Sequence, residues 1–424
     1  MDYEQALAWV HGLKRFAPAP GLERMRKLMA ALGNPQGRLR FVHVAGTNGK
    51  GSVVTMLANI VKAAGYTVGA NVSPYVVDFR ERFQVGGEMI SETRLAEILG
   101  KVRRAVEALA EPVIEFEAVT AAALLWFAEE GCDLVCLEAG IGGRLDSTNV
   151  VENTLVACLT RIGLDHTAIL GESIEAITAE KCGIFKPGCR VVCYPQQPGA
   201  ALSVIQKHAA EKQCTLTVAE MPEPLPDAGT MHPYLYKYKR LRLEPALVGA
   251  HQALNAAVVA ETAWALRRHG YSIADADIEQ GVRETRLPAR IELLRRQPSV
   301  IVDGAHNVDS ASALAAFLER EHLSNLTAVA GILDDKDAGQ VLELMAPYVG
   351  SLCTVRPDSP RALDAVALAA RAVALGYTRV TPYESIEAAL NAAVKGERGV
   401  LVFGSFYLAA RARQILSEYS DLKG

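Results

Sequence analysis

The stretch FVHVAGTNGKGSVVTML, Phe41 to Leu57, gathers three glycines, a lysine and two hydroxyl residues into the seven positions Gly46, Thr47, Asn48, Gly49, Lys50, Gly51 and Ser52. A strand pattern runs directly into it and a helical pattern follows. Backbone N–H groups at such a helix start point at an anion, and Lys50 adds a point charge. The usual phosphate-loop spacing sets the hydroxyl directly after the lysine; here Gly51 separates Lys50 from Ser52, and Gly46 stands close to Gly49. Context outweighs spacing and favours phosphate binding, the alternative being a glycine-rich turn with an incidental lysine.

Further reactive side chains sit at other strand ends. Glu138 closes the apolar run CDLVCL beside GIGG, where open α/β sheets place ligands, and a carboxylate there suits Mg²⁺; otherwise it is a cap or a solvated glutamate. His166 follows a strand in IGLDH, with a core or surface histidine as the plain alternative. Arg290 in LPARIE can stabilise charge on a transferring phosphoryl group, or pair with Glu292. Asp303 and His306 in VDGAHN lie at the mouth of a second sheet. Lys186, beside Pro187, is expected to be a solvated charge at a helix end.

The elements that must position these residues alternate between short apolar runs and helical patterns, the signature of parallel sheets with crossover helices. LRFVHVA, YTVGANV, CDLVCLEA, TLVACLT and RVVCY read as strands of one sheet. Helices are expected near Ser52–Ala64, Ser91–Leu109, Ala118–Glu129 and Ser173–Lys181. SVIVDGA, LTAVAGI, SLCTVRP and GVLVFGS form a second sheet from about residue 296. The class is α/β: a parallel-sheet domain carrying the loop, 1–293, then a smaller Rossmann-like domain, 294–424, with a hinge near 294. PEPLPDAGTMHP reads as a surface loop.

Composition excludes several classes. With 424 residues, 50% hydrophobic and 22% charged, the chain is too large for one core. A net charge of -4 argues against a nucleic-acid binder. The acidic start MDYEQALAWVHG has no cationic leader and no apolar run is long enough to span a bilayer, so a cytoplasmic protein acting on small molecules is expected. Eight cysteines without a C-x-x-C pair read as reduced, mostly buried thiols.

GTNGKGS followed in order by SPYVVDFRERFQVGG, EFEAVTAAAL, LEAGIGGRLDSTNV, IGLDHTAILG, AEKCGIFKPG, GAHQALNAA, LPARIE, VDGAHN and GILDDKD resembles the folylpolyglutamate and dihydrofolate synthase family of the Mur ligase superfamily. The resemblance implies a ligase that uses ATP to add L-glutamate to folates or to dihydropteroate, acting as a monomer. It implies two Mg²⁺ ions: Glu138 and His166 ligate one, and Ser73 contributes to the other near Ser52, although Ser73-Pro74 also reads as a turn opening. A monovalent cation such as K⁺ belongs to the same expectation. Lys181 falls at a position where family members carry a carbamylated lysine, with Cys182 departing from the alanine usual beside it. Such chemistry needs the neutral amine. Asn255 would touch the adenine and Arg290 and Asp303 the nucleotide, with Lys50, His166, Lys181 and His306 in the catalytic centre. The pterin-bearing substrate would lie against Phe116, Glu117, Arg144, Leu145, Asp146 and Ser147, with Phe116 stacking on the ring unless it is core, and Asp146 accepting ring N–H groups.

Three rivals stand beside this reading. A nucleotide switch or motor would use the same loop, but no guanine-reading motif accompanies it. A dinucleotide oxidoreductase would cradle pyrophosphate on GIGG, yet no G-x-G-x-x-G opens a helix. A cell-wall Mur ligase would share the loop and lysine but not EFEAVT and GGRLDSTN together.

Overall fold

The computed structural model describes residues 1–14, 21–226 and 234–418. Two sheets organise them. The first contains β1 (Phe41–Ala45), β2 (Val68–Asn71), β3 (Gln84–Val85), β4 (Glu88–Met89), β5 (Leu134–Glu138), β6 (Thr154–Leu159), β7 (Arg190–Cys193) and β8 (Thr215–Val218). Their order is β4-β3-β2-β5-β1-β6-β7-β8. The ladders from β2 to β8 are parallel, and β3 and β4 form an antiparallel margin. Buried on both faces, β1 and β5 read as continuous apolar runs, as central parallel strands do.

Side-chain alternation along β1 divides the core. Val42 and Val44 face the helices Lys50–Ala63 and Ala250–Arg267, while Phe41 and Ala45 face the opposite layer. His43 falls on the same face as Phe41 and Ala45.

A small antiparallel sheet, β9 (Glu223–Pro224), β10 (Tyr236–Tyr238) and β11 (Leu241–Leu243), follows. Part of the proline-rich stretch read as loop is therefore strand, because Pro224 sits at an edge where no N–H is demanded; residues 227–233 lie outside the described residues. The second large sheet is built from β12 (Glu292–Arg296), β13 (Ser299–Val302), β14 (Leu326–Ala330), β15 (Val349–Thr354), β16 (Val380–Pro382) and β17 (Val400–Phe403), in the order β12-β13-β17-β14-β15-β16. Only β12 runs antiparallel. The boundary expected after residue 293 falls inside β12, which turns back on β13 and so belongs to the second sheet from its first residue.

Helix starts differ from expectation by a few residues. The helix after the glycine-rich loop begins at Lys50 rather than Ser52, directly behind Gly49 at φ 89°. The helix expected from Ala118 begins at Glu115, where the Glu117 side chain caps the N–H of Ile114 at 3.1 Å. Among the described residues no helix is long and apolar enough to cross a membrane. All eight cysteines are free thiols, seven of them buried.

Candidate active site

The carboxyl ends of β1, β5 and β6 meet those of β13, β14 and β17 around a cavity of about 1190 Å³. In the first sheet β1 leads to β2 on one side and its neighbour β6 leads to β7 on the other, the place where open α/β sheets leave a crevice for ligands. Thr47–Ser52, Ser73, Glu138, Asp146 and His166 line it from the first sheet, and Arg290, Asp303 and His306 from the second.

The loop is shaped by its glycines. Gly49 adopts φ 89°, and a Cβ there would lie 2.7 Å from Oδ1 of Asn255. Asn255 is buried on the helix Ala250–Arg267, donates to Gln252 Oε1 at 3.0 Å and lines the cavity. The loop threonine is spoken for: its Oγ1 donates to Gly163 O and accepts from Gly163 N, both at 3.0 Å. Lys50 Nζ donates to the carbonyls of Gly46 and Thr47, each at 3.1 Å. Ser52 is buried in the first helical turn.

Glu138 is buried, and its Oε2 accepts the Ser73 N–H at 2.9 Å. Burial pushes its carboxyl pKa up, against the pull of Lys50, the Ser73 N–H and Arg290. Lys181 and Gly46 do not line the cavity. Lys181 is sealed behind the loop, 4% exposed, with Nζ donating to Gly46 O at 2.8 Å. Burial first, and the charge of Lys50 second, bring its amine down to about 7. His166, half-buried at φ 51°, is also lowered, by burial and by the cations Lys336, Lys50 and Lys181. Cys182 is buried in the apolar layer with Ala45 and Ile177.

Arg290 makes no ion pair with Glu292, which instead accepts from Arg413 at 2.9 Å. Its guanidinium lies 4.0 Å above the Phe406 ring. Ala289 and Ile291 flank it at φ 55° and 49°, a conformation costly for a β-branched residue. Asp303 supports the strained turn, accepting Ile291 N at 2.6 Å and Ala305 N at 2.7 Å. Both its oxygens therefore serve backbone groups. His306 Nδ1 contacts Gly304 O at 2.8 Å, and burial lowers its pKa to about 4.

Opposite, Phe116 lies on the first turn of its helix against the loop after β5: a Cβ on Gly140 would come within 2.6 Å of the ring and 3.1 Å of Asp146 Oδ2. Asp146 is buried and accepts Thr148 N at 3.0 Å and Ile141 N at 2.9 Å. Glu117 pairs with Arg24 at 3.1 Å. Arg144 is exposed and pairs with Glu180 at 2.7 Å, with Leu145 and buried Ser147 beside it on the wall.

Lys186 departs from expectation. The helix ends at Cys182, and Lys186 lies beyond it, half-buried, with Nζ donating to Asn149 O at 3.2 Å. Burial lowers its pKa, so it is no solvated charge.

Sequence reasoning also passed over four residues. Lys336 and Asp165 form an ion pair, their side chains 7% and 11% exposed. Burial alone would raise the Asp165 carboxyl; Lys336 and His166 outweigh it and hold it well below the usual range. Asn307 donates to Asp165 Oδ2 at 3.1 Å and exchanges amide hydrogen bonds with Asn48 at 3.2 and 3.3 Å. These contacts tie the glycine-rich loop to the second sheet. Arg82 lines the cavity with Nε buried and unpartnered. The available signal was charge and amide side chains in loops directly after strands, as in LDH, AHN and LDDK.

Residues 44–263 match the Mur ligase middle domain, and residues 289–406 the glutamate ligase domain of Mur ligases. The dihydrofolate synthase/folylpolyglutamate synthase of Bacillus subtilis is 38% identical over 375 residues, covering 85% of this chain and 86% of its own. Among solved structures, Mycobacterium tuberculosis folylpolyglutamate synthase complexed with ADP superposes with a TM-score of 0.89 at 29% identity, covering 98% of each chain. Escherichia coli FolC in complex with DHPP and ADP gives 0.85 at 30% identity, again over 98% of each.

Proposed function

The chain belongs to the Mur ligase family, among the folylpolyglutamate and dihydrofolate synthases, and from that premise we propose that it joins L-glutamate by an amide bond to a folate, and also to dihydropteroate, with ATP as co-substrate. The observation that carries this reading is the single cavity shared by the phosphate loop, Glu138 and Arg290 between two parallel sheets. ADP in the related M. tuberculosis and E. coli structures supports the nucleotide, and the names of the relatives support the folate.

In this reading the substrate carboxylate takes the γ-phosphoryl group of ATP, giving an acyl phosphate and ADP. The amine of L-glutamate then attacks the acyl carbon, phosphate leaves, and the ammonium proton passes to solvent. Lys50 and the N–H groups at the helix start hold phosphate oxygens. Arg290, preorganised by Phe406, meets the charge that grows on the transferring group. The part of the chain up to residue 291 acts as the ATP- and folate-binding domain and the second sheet, from Glu292 of β12 onward, as the ligase domain, and closure about the strained 289–291 turn between them excludes water from the acyl phosphate.

A buried carboxylate, Glu138, lining the same cavity as Ser52 and Ser73 fits a hard cation. Mg²⁺ takes one or two carboxylates and completes its shell with water and substrate phosphate, so the lack of a three-carboxylate or histidine cluster among the described residues does not oppose it. Ser52, Ser73 and Glu138, with His166, would hold two Mg²⁺ ions from the cavity wall; a carbamylated Lys181 could join them only by leaving the Gly46 carbonyl, which it meets behind the loop, and a monovalent cation such as K⁺ completes the family reading. When bound, the metals offset the crowding of phosphate charge. The reading describes a cytoplasmic monomer acting on small molecules.

The test is turnover of ATP with tetrahydrofolate, dihydropteroate or a UDP-linked muramyl substrate, each with and without L-glutamate. ADP and phosphate should appear only with a pteridine substrate and L-glutamate together. Release of AMP and pyrophosphate, or turnover with the muramyl substrate alone, would overturn the assignment.

A further inference from the structure

We propose that His43 is a positioning residue for the pteridine end of the substrate, holding Asp146 at the cavity wall through the hydroxyl of Thr148. The inference rests on the reading of Asp146 as an acceptor for pteridine N–H groups. His43 lies in the middle of β1 with 0% of its surface exposed, as does Thr148 in the short helical turn Ser147–Val150. Its Nε2 is 2.9 Å from Thr148 Oγ1, and that hydroxyl is 2.5 Å from Asp146 Oδ1.

The direction of these bonds follows from counting protons. Asp146 accepts N–H groups on both oxygens, as a carboxylate does, so the single hydroxyl proton of Thr148 is donated to it. The hydroxyl oxygen can then only accept from His43, which places the imidazole proton on Nε2. Nδ1 is left as a bare acceptor, and it is indeed buried without a hydrogen-bond partner. Burial, reinforced by the Lys186 charge, lowers the imidazole to about 3, so the ring is neutral.

An orphaned buried nitrogen is destabilising, and an apolar residue at this site would avoid that cost. The compensating gain is found at the cavity. Asp146 must keep one carboxylate orientation while Oδ2 holds Ile141 N and faces the space beside Phe116. A hydroxyl polarised from behind by an N–H donor is a better donor to that carboxylate than an unsupported one. Leucine at 43 would thus be kinder to the fold and worse for recognition, a combination that a purely structural histidine would not produce.

The experiment compares His43→Leu, Thr148→Val and His43→Gln with the wild type. For His43→Leu and Thr148→Val, KM for tetrahydrofolate or dihydropteroate should rise about tenfold while KM for ATP stays within about twofold. Tm of His43→Leu should hold or increase, and His43→Gln, whose amide can donate, should recover part of the pteridine affinity. The two effects should not add in the double variant, because one chain carries both. Nitrogen-15 NMR of the wild-type imidazole should find the proton on Nε2. A proton on Nδ1, unchanged pteridine KM, or a fall in Tm with both KM values rising together would overturn the inference, and the NMR measurement decides even if the variants fail to fold. Wild-type protein that binds neither pteridine substrate would instead sink the functional reading itself.

Discussion

Lys50 and Lys181 donate to one and the same oxygen, the carbonyl of Gly46, at 3.1 and 2.8 Å. Two ammonium groups on a single acceptor repel, and the more buried of the two yields. Burial first, and the Lys50 charge second, bring the Lys181 amine down to about 7, while Lys50 faces the cavity. The carbamylation proposed for Lys181 calls for a lowered pKa of this kind, since only a neutral amine reacts with CO₂.

Lys181 should be visible in the pH dependence of stability. Its folded pKa, about 7, lies below the free value of 10.5, so between these values the unfolded chain binds more protons. Stability of the metal-free, unmodified protein should rise with pH from about 7 to 10.5 relative to a Lys181→Met variant, and below about 7 the pH dependence should flatten with the full cost of the buried ammonium in place. Chemical denaturation across pH checks the sign; a fall with rising pH would contradict the buried-amine assignment.

Carbamylation is tested separately. Labelled bicarbonate should give a carbamate carbon signal in the wild type that Lys181→Ala lacks, and acetate or formate should restore part of that variant's turnover. Lys207, with a side chain 72% exposed, supplies the neutral control as Lys207→Ala.

Lys186→Ala is expected to damage the fold and not the chemistry. Removing Nζ strips a donor from Asn149 O, whose own amide ties Arg144 O and Gly183 O together at 3.1 and 3.0 Å. The loss should be about 1 kcal/mol by denaturant titration, with no rescue by carboxylates.

Lys50→Ala should lower turnover about 10²-fold or more while leaving the thermal transition nearly in place, because the side chain serves phosphate charge and loop shape and no apolar packing. Wild-type-like kcat in this variant would remove the phosphate-loop reading.

Arg290→Lys should cost nearly as much as Arg290→Ala, about 10²-fold in kcat, because an ammonium neither stacks on Phe406 nor presents a planar fork. Phe406→Leu should fall between these and the wild type. Steady-state kinetics with tetrahydrofolate and L-glutamate distinguish the three; an active Arg290→Lys enzyme would show that bare charge suffices.

What could be read from the chain were the features whose causes are local. Apolar runs of strand length ending in glycines and charged residues mark the carboxyl ends of β1, β5 and β13, and the glycines of the loop mark a helix start even though their spacing departs from the common form. Lys186 was misjudged because Pro187 suggested a helix end, whereas the helix stops at Cys182 and the lysine folds back beneath Asn149. The short strands β9, β10 and β11 escaped because runs of two or three residues carry too little periodicity to register.

The sequence by itself determined the class of fold, the glycine-rich loop at a helix start and the family, since each depends on residue types at short spacing and on motif order. Tertiary structure alone decided which groups meet. The pairing of Lys336 with Asp165, the clasp of Asn48 with Asn307, the shared acceptor of Lys50 and Lys181 and the line from His43 through Thr148 to Asp146 all join segments far apart in the chain. Protonation followed from the same contacts, because a lysine or histidine takes its pKa from burial and neighbouring charge, and neither exists until the two sheets have formed and packed around the cavity.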